Sequence, residues 1–285
     1  NFSKIVGFVG IIVMVLGLQA CGEYQTILKS KDPDIKYQKA LTYFNDKQYV
    51  KAQTLLDDVT SYYRGTDRSQ DVLVYLSRSY MGQKDYSSAA EYYQAYIRNY
   101  PKGRYIIEAR FQAGHCYYLN VADARLDQTE TLKAIDFFTQ FVELYPESPY
   151  AEQAYQEMND LYDRLAYKEF LSAKTYYNLG TYLGNNYLSA EIVAKNALEK
   201  YPTNKYQEEL NWLILQAKYQ QVLNSFDNRR EERARETEDE YYRSIPKYKS
   251  EKYLKQLNQT QKESFAKDVL RGLYAAAYRR VTRDI

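Results

Sequence analysis

The stretch Tyr80-Met81-Gly82-Gln83-Lys84-Asp85-Tyr86-Ser87-Ser88-Ala89, running on to Tyr100-Pro101, decides the fold. From Ala89 the apolar positions are Tyr92, Tyr93, Tyr96, Ile97 and Tyr100, a spacing of i, i+3, i+4, i+7, i+8 and i+11. That spacing is one face of an α-helix, and the proline ends it. The pattern recurs before Tyr145-Pro146 (Ala134, Phe137, Phe138, Phe141, Val142) and before Tyr201-Pro202 (Ala190, Val193, Ala194, Ala197, Leu198). A fourth copy, Ala52, Leu55, Leu56, Val59, Tyr62 and Tyr63, closes on Tyr63-Arg64 instead.

Each of these helices follows a partner across a short turn. Tyr43-Phe44-Asn45-Asp46-Lys47-Gln48-Tyr49-Val50-Lys51-Ala52 has the spacing of the opening stretch, and Tyr182 to Ala190 repeats it one residue shorter. Small residues that let two helices approach, with a proline ending the second, form the tetratricopeptide (TPR) pattern. The third copy carries an insertion, Asn120 to Thr131. Ala151 to Leu165 and Tyr167 to Leu183 read as two further helices and Tyr206 to Asn224 as the last, giving ten helices or five hairpins. The expected fold is all-α, a right-handed TPR superhelical solenoid over residues 32–225 with a concave groove. Residues 226–285 read as a charged helical C-terminal extension. Its run Arg229 to Glu240 places Glu231/Arg235 and Asp239/Arg243 at helical spacing, Pro246 interrupts it, and Ser264 to Arg280 follows as an amphipathic helix.

Composition narrows the function. The 285 residues carry 39 Lys or Arg against 37 Asp or Glu, a formal charge of +2, which speaks against a nucleic-acid binder. His115, Cys21 and Cys116 are the only histidine and cysteines, too few for a Cys₂His₂ or Cys₄ zinc site. A nucleophile pair of His115 and Cys116 fails because adjacent helical residues point about 100° apart. With no P-loop, no Gly-x-Gly-x-x-Gly and no His-Glu-x-x-His, the chain reads as non-enzymatic, without cofactor or metal. The 34 tyrosines fall largely on the apolar stripes, where they fill gaps between helices with the hydroxyl reaching solvent.

Ahead of the repeats, Lys4 precedes the apolar run Ile5 to Leu18, then Gln19-Ala20-Cys21-Gly22. A basic residue, an apolar run and a small-residue end read as a secretory signal peptide over residues 1–20. The run is too short to span a bilayer, which takes about 20 apolar residues. Leu18-Gln19-Ala20-Cys21 is similar to the bacterial lipobox, cut between Ala20 and Cys21, so that Cys21 would take up lipid. Two or three acyl chains there would hold the protein firmly, with residues 21–31 as the lipid-anchored tether.

A lipobox followed by about five hairpins resembles the BamD family, the lipoproteins of the outer-membrane β-barrel assembly (Bam) machinery. The insertion segment Arg125-Leu126-Asp127-Gln128-Thr129, Ser148-Pro149-Tyr150, the core Arg164-Leu165-Ala166-Tyr167-Lys168-Glu169 and Ala173-Lys174-Thr175-Tyr176-Tyr177 carry the likeness. The resemblance implies a scaffold on the periplasmic face of the outer membrane. It would bind the periplasmic domains of BamA and other Bam subunits through its C-terminal hairpins, and unfolded outer-membrane proteins through its N-terminal ones. A second reading is another TPR lipoprotein adaptor of the cell envelope, serving peptidoglycan or envelope coordination. For the substrate peptide, candidates are Tyr43, Tyr62, Tyr63, Arg64, Arg68, Tyr75 and Tyr80, whose rings and guanidinium groups suit an extended segment ending in an aromatic residue and a carboxylate. For an acidic partner protein they are Lys195, Lys200, Lys205 and Trp212, with Lys218 nearby in sequence.

Overall fold

The computed structural model describes residues 23–225 and 227–244. The signal segment, the Ala20/Cys21 cleavage and lipidation position, Pro246 and the helix expected at 264–280 lie outside these residues. The chain divides into two compact units, one of Asn1–Ala122 with Thr129–Met158, the other of Asp123–Gln128 with Asn159–Ile285. Among the described residues the fold is helical throughout, in adjacent packed hairpins of TPR type, with no strand.

In the first unit, α1 (residues 23–28), α2 (Pro33–Asn45), α3 (Tyr49–Thr60), α4 (Arg68–Gly82), α5 (Tyr86–Asn99), α6 (Ile106–Leu119) and α7 (Thr129–Leu144) follow in order. Local signals set the boundaries. The Asp32 carboxylate accepts from the backbone N–H of Asp34 (2.9 Å) and Ile35 (3.3 Å), and Pro33 needs no partner in the first turn. Asp85 caps α5 through the Ser88 N–H at 3.1 Å. Lys47 (φ 59°) and Lys84 (φ 62°) make the left-handed reversals of the two matched turns. Between the helices lie the expected small residues: Ala52, Ala89 and Ala134 are fully buried. Gly114 marks the closest approach of α6 and α7, where a Cβ would stand 3.0 Å from the Phe138 ring. The buried Tyr96 keeps its hydroxyl satisfied. Tyr96 donates to Gln70 Oε1 (2.9 Å) and accepts from the Tyr105 N–H (3.0 Å). Cys116 is buried with Sγ 3.2 Å from Met81 Sδ, and burial pushes its thiol up to about 12. Residues 23–28, expected within a tether, are helical instead; Ile27 is buried, Tyr24 meets Tyr43 edge-on at 5.7 Å, and Glu23 pairs with Lys39 at 2.6 Å.

One expected turn is absent. Residues 151–165 and 167–183, read as two helices, form the single helix α8 (Ala151–Leu179). No glycine or proline interrupts this run before Gly180, and the buried Ala154, Leu161, Leu165, Ala166 and Ala173 carry the inward stripe past the expected break. Between residues 32 and 225 there are therefore nine described helices where ten were expected.

The second unit continues with α9 (Asn186–Lys200), α10 (Gln207–Leu223) and α11 (Asp227–Ser244). Ala173, Ala194, Ala197, Leu210, Leu213 and Ile214 form its core. Leu215, Ala217 and Val222 of α10 are also buried, because α9 packs against one side of this helix and α11 against another. The start of the charged extension is thus a docked helix, seated by Ala234 and Thr237. The expected pairs Glu231/Arg235 and Asp239/Arg243 each include a side chain outside those described. The insertion closes on itself: the Gln128 amide donates to the Asp123, Leu126 and Asp127 carbonyls at 2.9–3.2 Å. Lys168 Nζ ties it to α8 through the Leu126 carbonyl at 3.0 Å. Hydrogen bonds from the Arg125 side chain and N–H hold the Asp123 carboxyl down at about 2, with Arg164 adding its charge. The segment 164–169 therefore carries Arg164 and Lys168, two residues of α8 that engage the insertion.

Candidate functional site

The first turns of α2, α4 and α6 each carry a carboxylate, and Asp34, Asp71 and Glu108 recur every 37 residues. Each meets a guanidinium group. Arg68 pairs with Asp34 and Arg104 with Asp71. Arg78 grips Glu108 with two parallel bonds, Nε to Oε1 at 2.7 Å and a terminal nitrogen to Oε2 at 2.6 Å. Each guanidinium also lies over tyrosine rings: Arg68 over Tyr37 and Tyr63 (5.1 and 4.9 Å), Arg78 over Tyr75 and Tyr105 (5.3 and 5.5 Å), Arg104 over Tyr105 (5.1 Å). Tyr63 donates to Asp34 at 2.7 Å and Tyr105 to Asp71 at 2.8 Å.

The result is a strip of tyrosine, arginine and carboxylate across α2, α4 and α6 of the first unit. Hydrogen bonds from Tyr63 and then Arg68 hold the Asp34 carboxyl below the usual carboxylate range. Burial, then the Asp71 charge, push Tyr37 up to about 12, and burial with the Asp71 hydrogen bond raises Tyr105. Its charges are matched within the fold; Tyr37 and Tyr63 are buried in the core, so the strip presents ion pairs and the half-buried rings of Tyr75 and Tyr105. Nearer α7, His115 Nδ1 lies 2.8 Å from the buried Glu157 Oε2, whose other oxygen accepts from the Gln153 amide at 2.8 Å. The imidazole stacks on Phe111, which stacks in turn on Tyr150 at 4.8 Å.

Of the residues expected to hold a peptide, Tyr63, Arg68 and Tyr75 belong to this strip. Tyr43 is buried in the core, and Tyr80 stacks on Tyr92 at 5.1 Å while accepting from the Gln53 amide at 3.0 Å. Tyr62 is 64% exposed, and Arg64 beside it is exposed and pairs with no described residue. Arg68, expected to meet a peptide carboxylate, already holds one from within the fold. Sequence reasoning missed Asp34, Tyr37, Asp71, Arg78, Arg104, Tyr105 and Glu108. The carboxylates were detectable from their 37-residue period in the first helix of each hairpin, whereas the tyrosine stripe drew attention to the second.

The expected partner-binding residues divide into two groups in the second unit. Lys195 Nζ lies 2.8 Å and Lys218 Nζ 3.2 Å from Glu191 Oε1, while the Gln221 amide donates to Oε2 at 2.8 Å. Lys218 also faces Glu236 of α11 at 3.8 Å. Burial pushes the Glu191 carboxyl up, but hydrogen bonds from Lys195 and Gln221 and the Lys218 charge outweigh it and leave it below the usual range. Lys200 and Lys205 flank the next turn instead. Lys200 lies over the Tyr201 ring, and Lys205 pairs with Asp163 through its backbone N–H (2.7 Å) and Nζ (3.5 Å). Trp212 is half-buried on α10.

Among the described residues, no helix is long and apolar enough to cross a membrane, and no group of three His, Cys, Asp or Glu could hold a metal ion. A search of curated proteins returned no match. A family model, YfiO, described as outer membrane lipoprotein, matches residues 29–185, from the end of α1 to the turn after α8.

Proposed function

The chain belongs to the YfiO family of outer membrane lipoproteins, and from that membership we propose that it is a BamD-type scaffold of β-barrel assembly rather than an enzyme. In this reading lipid on Cys21 holds it at the periplasmic face of the outer membrane. The first unit receives segments of unfolded outer-membrane proteins. The second binds the periplasmic domains of BamA and further Bam subunits.

The observation that carries the reading is the family match, which spans the whole tyrosine–arginine strip. Barrel strands alternate apolar and polar residues. The half-buried rings of Tyr75 and Tyr105 and the exposed ring of Tyr62 can take the apolar side chains by contact, and the ion pairs can hydrogen-bond the exposed backbone. It selects by shape and ring contact, which suits many substrates. Arg64 next to Tyr62 is placed to take a terminal carboxylate without first displacing Asp34.

The test is capture of a peptide from the C-terminal end of a barrel protein. Tyr62→Ala with Arg64→Glu is expected to weaken it by roughly tenfold, about 1.4 kcal/mol, while leaving co-purification of BamA intact. Peptide crosslinks confined to positions beyond Met158 would reverse the polarity of the two units. Affinity purification that returns peptidoglycan-linked envelope proteins and no BamA would replace the reading with that of an envelope adaptor.

A further inference from the structure

The turns α2–α3 and α4–α5 take three residues each, and each left-handed position is a lysine, Lys47 or Lys84. The turn α8–α9 takes six, residues 180–185, and there Leu183 holds φ 55° with 90% of its surface exposed. A leucine in this conformation is strained, and one so exposed gains nothing from burial. Two glycines at positive φ, Gly180 (57°) and Gly184 (146°), frame it. The Tyr187 ring fixes the first: a Cβ on Gly180 would lie 2.9 Å from the Tyr187 hydroxyl oxygen. Around Leu183 the large side chains of Tyr176, Leu179, Tyr182 (68% exposed), Leu188 and Ile192 also face solvent.

Charge completes the picture. Residues 175–190 contain no Asp, Glu, Lys or Arg. On one side the next charge is the exposed Lys174; on the other it is Glu191, whose buried carboxylate is taken up by Lys195, Lys218 and Gln221. The exposed charges flanking the segment, Lys174 and Lys195, are therefore both cationic.

We infer that the α8–α9 turn is a lipid-contacting tip: Leu183 and Tyr182 enter the interfacial layer of a phospholipid leaflet, with Lys174 and Lys195 flanking them toward the headgroup phosphates. Tyrosine is at home at that depth, leucine buries below it, and lysine stems reach back to the anionic surface. A charge-free segment loses no ion hydration on entering. It also offers no charged group with which a protein partner could set register. The inference rests on the family's place at the outer membrane, where a leaflet is within reach.

The experiment places a reporter at the tip in the full chain, mixed with vesicles of phosphatidylethanolamine and phosphatidylglycerol carrying brominated acyl chains. Leu183→Trp is expected to show strong quenching and a blue shift beyond the baseline of native Trp212. Leu188→Trp repeats the test within α9, and Val50→Trp, exposed in the first unit, should show neither effect. Flotation of the chain with the vesicles reads the lipid anchor separately. Flotation without quenching at positions 183 and 188 overturns the tip and leaves the anchor reading standing; neither flotation nor quenching overturns both. Shielding of the new indole only when a solubilised envelope protein is added assigns the surface to a protein and also overturns the proposal.

Discussion

At the α4–α5 turn the chain reverses in three residues around Lys84, a polar side chain in water; at the α8–α9 turn it reverses in six around Leu183, an apolar one. The charges invert the contrast. In the first unit the Asp34–Arg68 pair lies open, with both side chains reaching solvent, while Arg78 and Glu108 are more covered. In the second, Glu191 and Lys218 are nearly sealed between α9, α10 and α11. One hairpin repeat thus carries two different distributions of polarity. The backbone fixes where a left-handed residue or a close helix approach must fall. Which residue stands there is left open, and the two units fill those places for different surroundings.

The sharpest way to break this comparison is to remove its buried charge. Glu191→Ala is expected to cost about 3 kcal/mol, because the buried Lys218 loses its nearest carboxylate and keeps only the exposed Glu236 at 3.8 Å. Asp34→Asn should lower the melting temperature far less, since its carboxylate is exposed and water screens its pairing with Arg68. Equal losses in the two variants would erase the distinction. Next in size, Ala89→Leu and Ala134→Leu in the first unit and Ala194→Leu in the second should each cost about 1–3 kcal/mol by overpacking. An unchanged denaturation midpoint in all three would refute the shared helix register.

Acid gives a graded version. The folded Glu191 carboxyl is depressed, so its contribution is fully present above the unfolded value of 4.5 and is lost as pH falls through the folded value. The second unit should lose stability below that pH, followed by Trp212 emission, and Glu191→Gln should flatten the dependence. The smallest effect belongs to the turns. Lys84→Gly and Leu183→Gly each relieve left-handed strain and should gain up to about 1 kcal/mol, the freer unfolded chain taking back the rest. Only Leu183→Gly should also reduce lipid contact, which bromolipid quenching of a Leu188→Trp reporter would read.

The hairpins were legible because their signal is local. Ala89 to Tyr100 repeats a spacing that a single helix imposes, and the closing proline states where it stops. The continuity of α8 was missed: 151–165 and 167–183 read as two helices, although no glycine, proline or capping residue stands at Ala166 to part them. The strip stayed hidden for another reason. Arg78 and Glu108 are thirty positions apart and on different helices, and nothing in either neighbourhood announces the pairing. The lysines of the second half misled in the opposite sense. Composition grouped Lys195, Lys200, Lys205 and Trp212 as one surface, while Glu191 and Asp163 draw two of them to different helices.

Cys116 gives the first unit an internal clock. Its sulfur lies among Met81 and the buried faces of α5 and α6, and burial pushes the thiol up to about 12, so almost none is thiolate at neutral pH while that layer is closed. Alkylation must therefore wait for these helices to part. The labelling rate of this one sulfur, followed against reagent concentration and time, counts opening events of that layer directly and needs no probe to be introduced.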